Sequence, residues 1–137
     1  MRDAYSNVLV KASLKPAART ATANGTAVDR TDGSNASMFQ DALIVLNTGT
    51  VTDGTHTITI EDSDDNSTFA TVTSAGYEGD APPALTSSND ETVYETRYTG
   101  GRRYLRVVTT VAGATTGGLY AAEVVLSNPR RAAVVHP

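Results

Sequence analysis

The sequence predicts an all-β fold, an antiparallel β-sandwich or compact barrel of the jelly-roll-like or Ig-like kind with extended termini. Three observations predict it. Small and β-branched residues dominate the 137-residue chain, threonine above all, while leucine and lysine are sparse; that mixture suits strands and turns more than helices. Apolar residues recur at every second position in several segments. Turn signals divide the chain, every eight to twelve residues or so, into about seven or eight short strands. The length fits one domain with its own core and is short for two.

Residues 6–14 alternate through Val8, Val10 and Ala12, as an edge strand or an arm would, and Pro16 is expected to interrupt them because proline cannot donate to a ladder. Residues 17–26 are rich in alanine and threonine and close on Asn24-Gly25, a turn signal. A second turn cluster covers residues 31–35. The apolar run Ala42-Leu43-Ile44-Val45-Leu46 has the length of a buried strand. Asp53-Gly54 follows, placed to close a hairpin onto residues 56–61, where Ile58 and Ile60 face the core. Past the acidic turn at residues 61–66, residues 68–73 read as a strand anchored by Phe69. Residues 76–90 form the longest irregular stretch, with Pro82-Pro83 inside it, and such stretches are often binding or contact features. Residues 91–98 set Val93, Glu95 and Arg97 against Tyr94, Thr96 and Tyr98. Gly100-Gly101 turns the chain into residues 102–111, with Leu105, Val107, Thr109 and Val111 on one face. Residues 120–126 are the last strand, ended by Asn128-Pro129. The expected core holds Ile58, Ile60, Phe69, Val107 and Val125. This divides the chain into an N-terminal arm or edge strand (1–19), a sandwich domain (20–128) and a tail (129–137).

Composition narrows the function. A net charge of −4 with 19% charged residues argues against a groove for nucleic acid, which needs concentrated lysine and arginine. The absence of cysteine removes disulfides, thiolate metal sites and thiol nucleophiles and leaves the compartment open. The first twenty residues carry Arg2, Asp3, Lys11, Lys15 and Arg19 without a long apolar stretch, so they do not read as a signal peptide. No apolar run reaches bilayer-spanning length, so no membrane partner is expected.

The acidic turn places Asp62, Asp64 and Asn66 at the spacing of the first three ligands of a calcium loop. The pattern then breaks at Ser67, where glycine is needed, and at Thr73, where a bidentate glutamate is needed. A solvated hairpin turn is the plainer reading, and no metal is expected. His56 is expected on the solvent face and His136 lies second to last; neither assembles a nucleophile with its base and orienting group. No nucleophile elbow, singled-out carboxylate pair or phosphate-cradling loop accompanies them. The expectation is a non-enzymatic protein without a cofactor. Arg97, Arg102, Arg103 and Arg106, with Tyr98 and Tyr104, form the densest basic-aromatic group. They read as a tyrosine on the core face with arginines on a wet face paired with Glu91 and Glu95, as a protein interface, or as a nucleic-acid or sugar surface. The interface candidates are Tyr5, Val8 and Val10 in the arm, Arg97, Tyr98, Arg102 and Arg103 in the middle, and Arg130 and Arg131 in the tail. Arm and tail are expected to serve contacts between chains.

Five segments carry a resemblance. They are Asn24-Gly25-Thr26-Ala27-Val28-Asp29, Val51-Thr52-Asp53-Gly54-Thr55-His56-Thr57, Glu61-Asp62-Ser63-Asp64-Asp65-Asn66-Ser67-Thr68-Phe69, Tyr98-Thr99-Gly100-Gly101-Arg102-Arg103-Tyr104-Leu105-Arg106-Val107-Val108, and Leu126-Ser127-Asn128-Pro129-Arg130. With them the chain resembles, over most of its length, a family of small head proteins of tailed bacteriophages and prophages. The resemblance implies a virion structural part on the capsid surface, a decoration or cement protein assembled in the host cytoplasm. Its partner would be the major capsid protein, and the chain would form a homo-oligomer, with a trimer favoured by analogy. It implies no catalytic residue. The alternatives are a head-fibre base or tail component, and a carbohydrate-binding sandwich using Tyr77 and Tyr98.

Overall fold

The computed structural model describes residues 3–31, 38–131, 134 and 136. The alternating segments become strands β1 (Val8–Arg19), β2 (Ala23–Asn24), β3 (Val28–Asp29), β4 (Phe39–Val51), β5 (Thr55–Ser63), β6 (Ala70–Thr71), β7 (Tyr77–Gly79), β8 (Ala84–Leu85), β9 (Val93–Tyr98), β10 (Tyr104–Ala112) and β11 (Gly118–Pro129). One turn of helix, α1 (Ala4–Asn7), leads into β1, with the Asp3 carboxylate accepting from the Ser6 amide. The strands form two packed antiparallel sheets. The first has the order β1-β11-β4-β9-β7; the second has β2-β10-β5-β6, with β3 also on β10 and β8 also on β5.

Period-two alternation sends one face of each long strand inward. Leu9, Ile44, Leu46, Tyr120, Val124 and Leu126 come from the first sheet and Ile58, Ile60, Leu105 and Val107 from the second, all buried. Ser13 stitches the sheets along one side. Its hydroxyl donates to the Thr26 carbonyl (2.9 Å) and accepts from the Val107 amide (2.9 Å), and its carbonyl accepts from the Thr26 amide (2.7 Å).

Several expectations are corrected. Pro16 does not end the first strand. β1 runs on to Arg19 with register shifts between Ala12 and Leu14 and between Leu14 and Ala17, and a proline in a bulged edge strand leaves no ladder bond broken. Residues 8–19 are therefore an edge strand of the chain's own sheet, paired with β11, and do not point away from the body. Asp53-Gly54 closes no hairpin, because β4 and β5 belong to different sheets. It is an arch across the sandwich, held by the Asp53 carboxylate, which accepts from the Thr115, Thr116 and Gly117 amides (2.6 Å to Gly117). Gly100-Gly101 likewise carries the chain from one sheet to the other. Phe69 lies outside β6 and outside the core. It is half-buried, with the Arg106 guanidinium 3.9 Å from its ring centre. Val125 faces outward, and Val124 and Leu126 fill the core instead. The turn cluster at residues 31–35 falls mostly outside the described residues.

Candidate interaction surface

The outer faces of the two sheets differ in chemistry. On the second sheet, Thr55, Thr57 and Thr110 are exposed and Thr59 half-buried. The Arg106–Glu61 pair (2.6 Å) lies among them, and Arg103–Asp29 (2.8 Å) flanks the start of β10. On the first sheet the register aligns Val10 of β1, Val125 of β11, Leu43 of β4 and Arg97 of β9 in one row. The next row is Ala12, Glu123, Val45 and Glu95, and Ala121, Asn47 and Val93 follow. Leu119 rises beside a groove between Pro16-Ala17 and Asn47-Gly49. The large hydrophobics most exposed among the described residues are Tyr5 (72%), Val10 (52%), Val93 (53%) and Leu119 (53%). All four belong to the first sheet or to the helix that enters it.

The arm and tail meet at one corner of this sheet. The Tyr5 ring stacks on His136 with centroids 4.0 Å apart, and the Val134 amide donates to the Ser6 carbonyl (3.0 Å). Val134 is buried. Tyr5, Val8, Val10 and His136 line a groove there. Among the described residues no strand pairs with the outer edge of β1. Arg130 and Arg131 are exposed just after β11.

The central arginines do not pool into one basic patch, and their partners are not Glu91 and Glu95. Arg97 holds Asp41 (2.8 Å) and Glu78 (2.9 Å), Arg102 faces Asp62 (3.7 Å) and Asp64 (3.9 Å), and Arg103 holds Asp29. The Arg103 hydrogen bond holds the Asp29 carboxyl far below the usual range. Tyr98, expected at an interface, is 2% exposed. Its hydroxyl donates to Asp62 (2.7 Å), and burial, reinforced by that bond, pushes its pKa up to about 12. Of the two rings a sugar cleft would use, Tyr77 is half-buried and Tyr98 buried.

Asp62, Asp64 and Asn66 do not converge as ligands. Asp62 is taken by Tyr98 and Arg102, and Asn66 sits in the left-handed region at φ 59°. Asp65 organises the turn, accepting from the Ser67 and Thr68 amides and the Ser63 hydroxyl (each 2.9 Å). Among the described residues no three acidic or histidine side chains gather as a metal site.

Two features escaped sequence reasoning. His56 is fully buried, not on the solvent face. Its Nε2 meets the Asp53 carbonyl (3.1 Å), which can only accept, so Nε2 carries the proton and Nδ1 accepts from the Tyr120 hydroxyl (2.9 Å). Thr109 then donates to the Tyr120 oxygen (2.6 Å). This chain of donors is satisfied and sealed from solvent, so it is a structural clamp. The period-two pattern of β5 does put His56 on the face of Ile58 and Ile60, which was the available signal. Arg30 is 3% exposed and donates to four carbonyls, those of Gly100 (3.3 Å), Arg102 (3.0 Å), Phe39 (3.1 Å) and Gln40 (2.9 Å). Burial lowers its pKa, against the attraction of Tyr98 and Asp41. Nothing in the sequence marks Arg30 as buried.

No family model, curated protein or solved structure matches the chain.

Proposed function

We propose that the chain is a non-enzymatic structural component of a tailed-phage head. It is a decoration or cement protein that lays the outer face of its first sheet, with the adjoining edge of β1, on the major capsid protein. One observation carries the docking part of this reading: the four most exposed large hydrophobics among the described residues gather on that sheet and the helix entering it, beside the ion pairs of Arg97, while the opposite face carries threonines and ion pairs without them. Exposed apolar patches rimmed by polar groups mark interaction sites. The assignment to a capsid rests on the sequence resemblance. Repeated binding to a symmetric shell adds avidity, so a modest interface is enough. Self-association along the outer edge of β1, with which no strand among the described residues pairs, belongs to the same proposal, because an unpaired edge is a template for another strand.

Co-sedimentation with undecorated heads tests the reading, with Val10→Lys, Val93→Lys and Leu119→Lys as variants that change exposed side chains only. Binding of the wild type is expected, weakened about tenfold or more by the triple variant, a loss of about 1.4 kcal/mol or more, with an unchanged melting temperature. Wild-type binding that the triple variant retains would remove the surface assignment. No wild-type binding to any shell would remove the capsid role. Light scattering reads the oligomeric state in parallel.

A further inference from the structure

At one end of the sandwich lies a cavity of about 250 Å³, lined by Arg30, Met38, Phe39, Gln40, the Gly100-Gly101 turn and Arg130. Among its described lining residues two are cationic and none is acidic. The Arg30 guanidinium is anchored at its tip by the four carbonyls, while its Nε–H, itself out of contact with solvent, has no partner among the described residues. The neighbouring carboxylates are engaged elsewhere. Asp41 accepts from Arg97 (3.1 and 2.8 Å) and Asp62 from Tyr98. Arg130 is fixed at the rim because its amide donates to the Met38 carbonyl (3.0 Å). The charge of Arg30 is met by carbonyl dipoles, by the Tyr98 ring 5.4 Å away and by the attraction of Asp41, and it forms no ion pair among the described residues. A buried charge without a directly paired counterion is costly.

We propose that this cavity is a binding site for a compact oxyanion, a carboxylate or phosphate group, held between Arg30 and Arg130. Its volume falls below the roughly 300–1,000 Å³ of pockets for whole small molecules, so it suits one side-chain-sized group, such as an acidic side chain or chain terminus of a partner. Gly101 has open space where a side chain would stand and leaves the backbone of one wall open to such a group, whereas Gly100 is packed on the Tyr98 ring. The site is separate from the apolar sheet face and does not rest on the capsid reading.

The test is a titration of ¹⁵N-labelled protein with sodium acetate and with sodium phosphate at constant ionic strength, using sodium chloride as the control. The Arg30 Nε–H and the Gly100 and Gly101 amides are observed. Saturable shifts are expected with at least one oxyanion and not with chloride. Acetate alone would point to a carboxylate source, and a stronger phosphate response to a phosphate source. Arg130→Gln changes an exposed side chain, keeps the fold, and is expected to weaken the response about tenfold. Arg30→Met removes the central charge and should abolish it if the variant folds; Arg130→Gln decides the matter if it does not. Linear, chloride-like shifts, or an Arg130→Gln protein that binds as the wild type does, would overturn the proposal.

Discussion

The His56–Tyr120–Thr109 chain makes a quantitative test of how the two sheets are held together. Tyr120→Phe keeps the ring that packs edge-on against His56 at 5.3 Å and removes only the hydroxyl. That strands two buried partners, the acceptor Nδ1 of His56 and the hydroxyl of Thr109, each with 0% exposure. At about 1–3 kcal/mol per unsatisfied buried group, with part recovered by rotation of the threonine hydroxyl, the loss should be about 2–4 kcal/mol. Thr109→Val removes a donor but leaves Tyr120 donating to His56, so it should cost only about 1 kcal/mol. In the double variant just one orphan remains, and its loss should fall short of the sum by about 1 kcal/mol or more. Urea unfolding measures all three, provided that the slope with denaturant stays constant across the set. A Tyr120→Phe loss below about 0.5 kcal/mol, or additivity within about 0.5 kcal/mol, would refute the assigned donor order.

Other outcomes follow from the titrating groups and one turn. The folded pKa of Tyr98, about 12, lies above the unfolded value of about 10. Stability is therefore intact below pH 10 or so and is lost as pH rises through this interval, and phenolate absorbance should show Tyr98 lagging behind the exposed tyrosines; simultaneous titration of every tyrosine in folded protein would contradict this. The carboxyls of Asp29, Asp53 and Asp65 are all held below the usual range, by Arg103, by the Gly117 and Thr116 amides and by the Thr68 and Ser67 amides respectively. Their stabilisation is present above the unfolded value of about 3.9 and lost as pH falls below it, so the urea midpoint should decline in acid; a flat profile down to about pH 2 would count against it. Gly117→Ala places a methyl group against the Arg19 carbonyl at φ +81° and should cost more than about 2 kcal/mol, read as a fall in the urea midpoint; a smaller loss would show that β1 and the 113–117 loop separate easily.

Alternation made much of the fold legible. Ile58 and Ile60 of β5, Leu105 and Val107 of β10, and the inward Thr96 and Tyr98 of β9 lie on the faces their period assigns. The same rule failed for Val125 because Val124-Val125-Leu126 is apolar on both faces. β11 runs through the middle of a sheet whose outer side is also half-buried, and period two cannot choose there. An aromatic ring such as Phe69 predicts core, but here the Arg106 guanidinium covers it from outside. Asp53-Gly54 signalled a turn correctly, but a turn residue does not encode whether the next strand pairs or crosses to the other sheet. The tyrosines and arginines of residues 97–106 stood out by density, yet their roles depended on acids far away in sequence, Asp29 and Asp41 among them. The apolar sheet face was half-legible through Val8 and Val10; Leu119 and Val93 join it only through the register.

The position of β11 has a consequence for how the molecule comes into being. It lies between β1 and β4, so Val8 waits for Ser127 and Leu43 for Val125. During synthesis β1 and β4 have no neighbour in common until residue 129 clears the ribosome. Until then the apolar sides of Leu9, Leu14, Ile44 and Leu46 have no closed interior to enter. Pairings so distant in sequence form slowly compared with local ones. The row of Val10, Val125 and Leu43 spans those same three strands, so a nascent or truncated chain does not display it. The docking face would thus appear only at the moment the sheet closes, and the last strand would act as the molecule's own check on completeness.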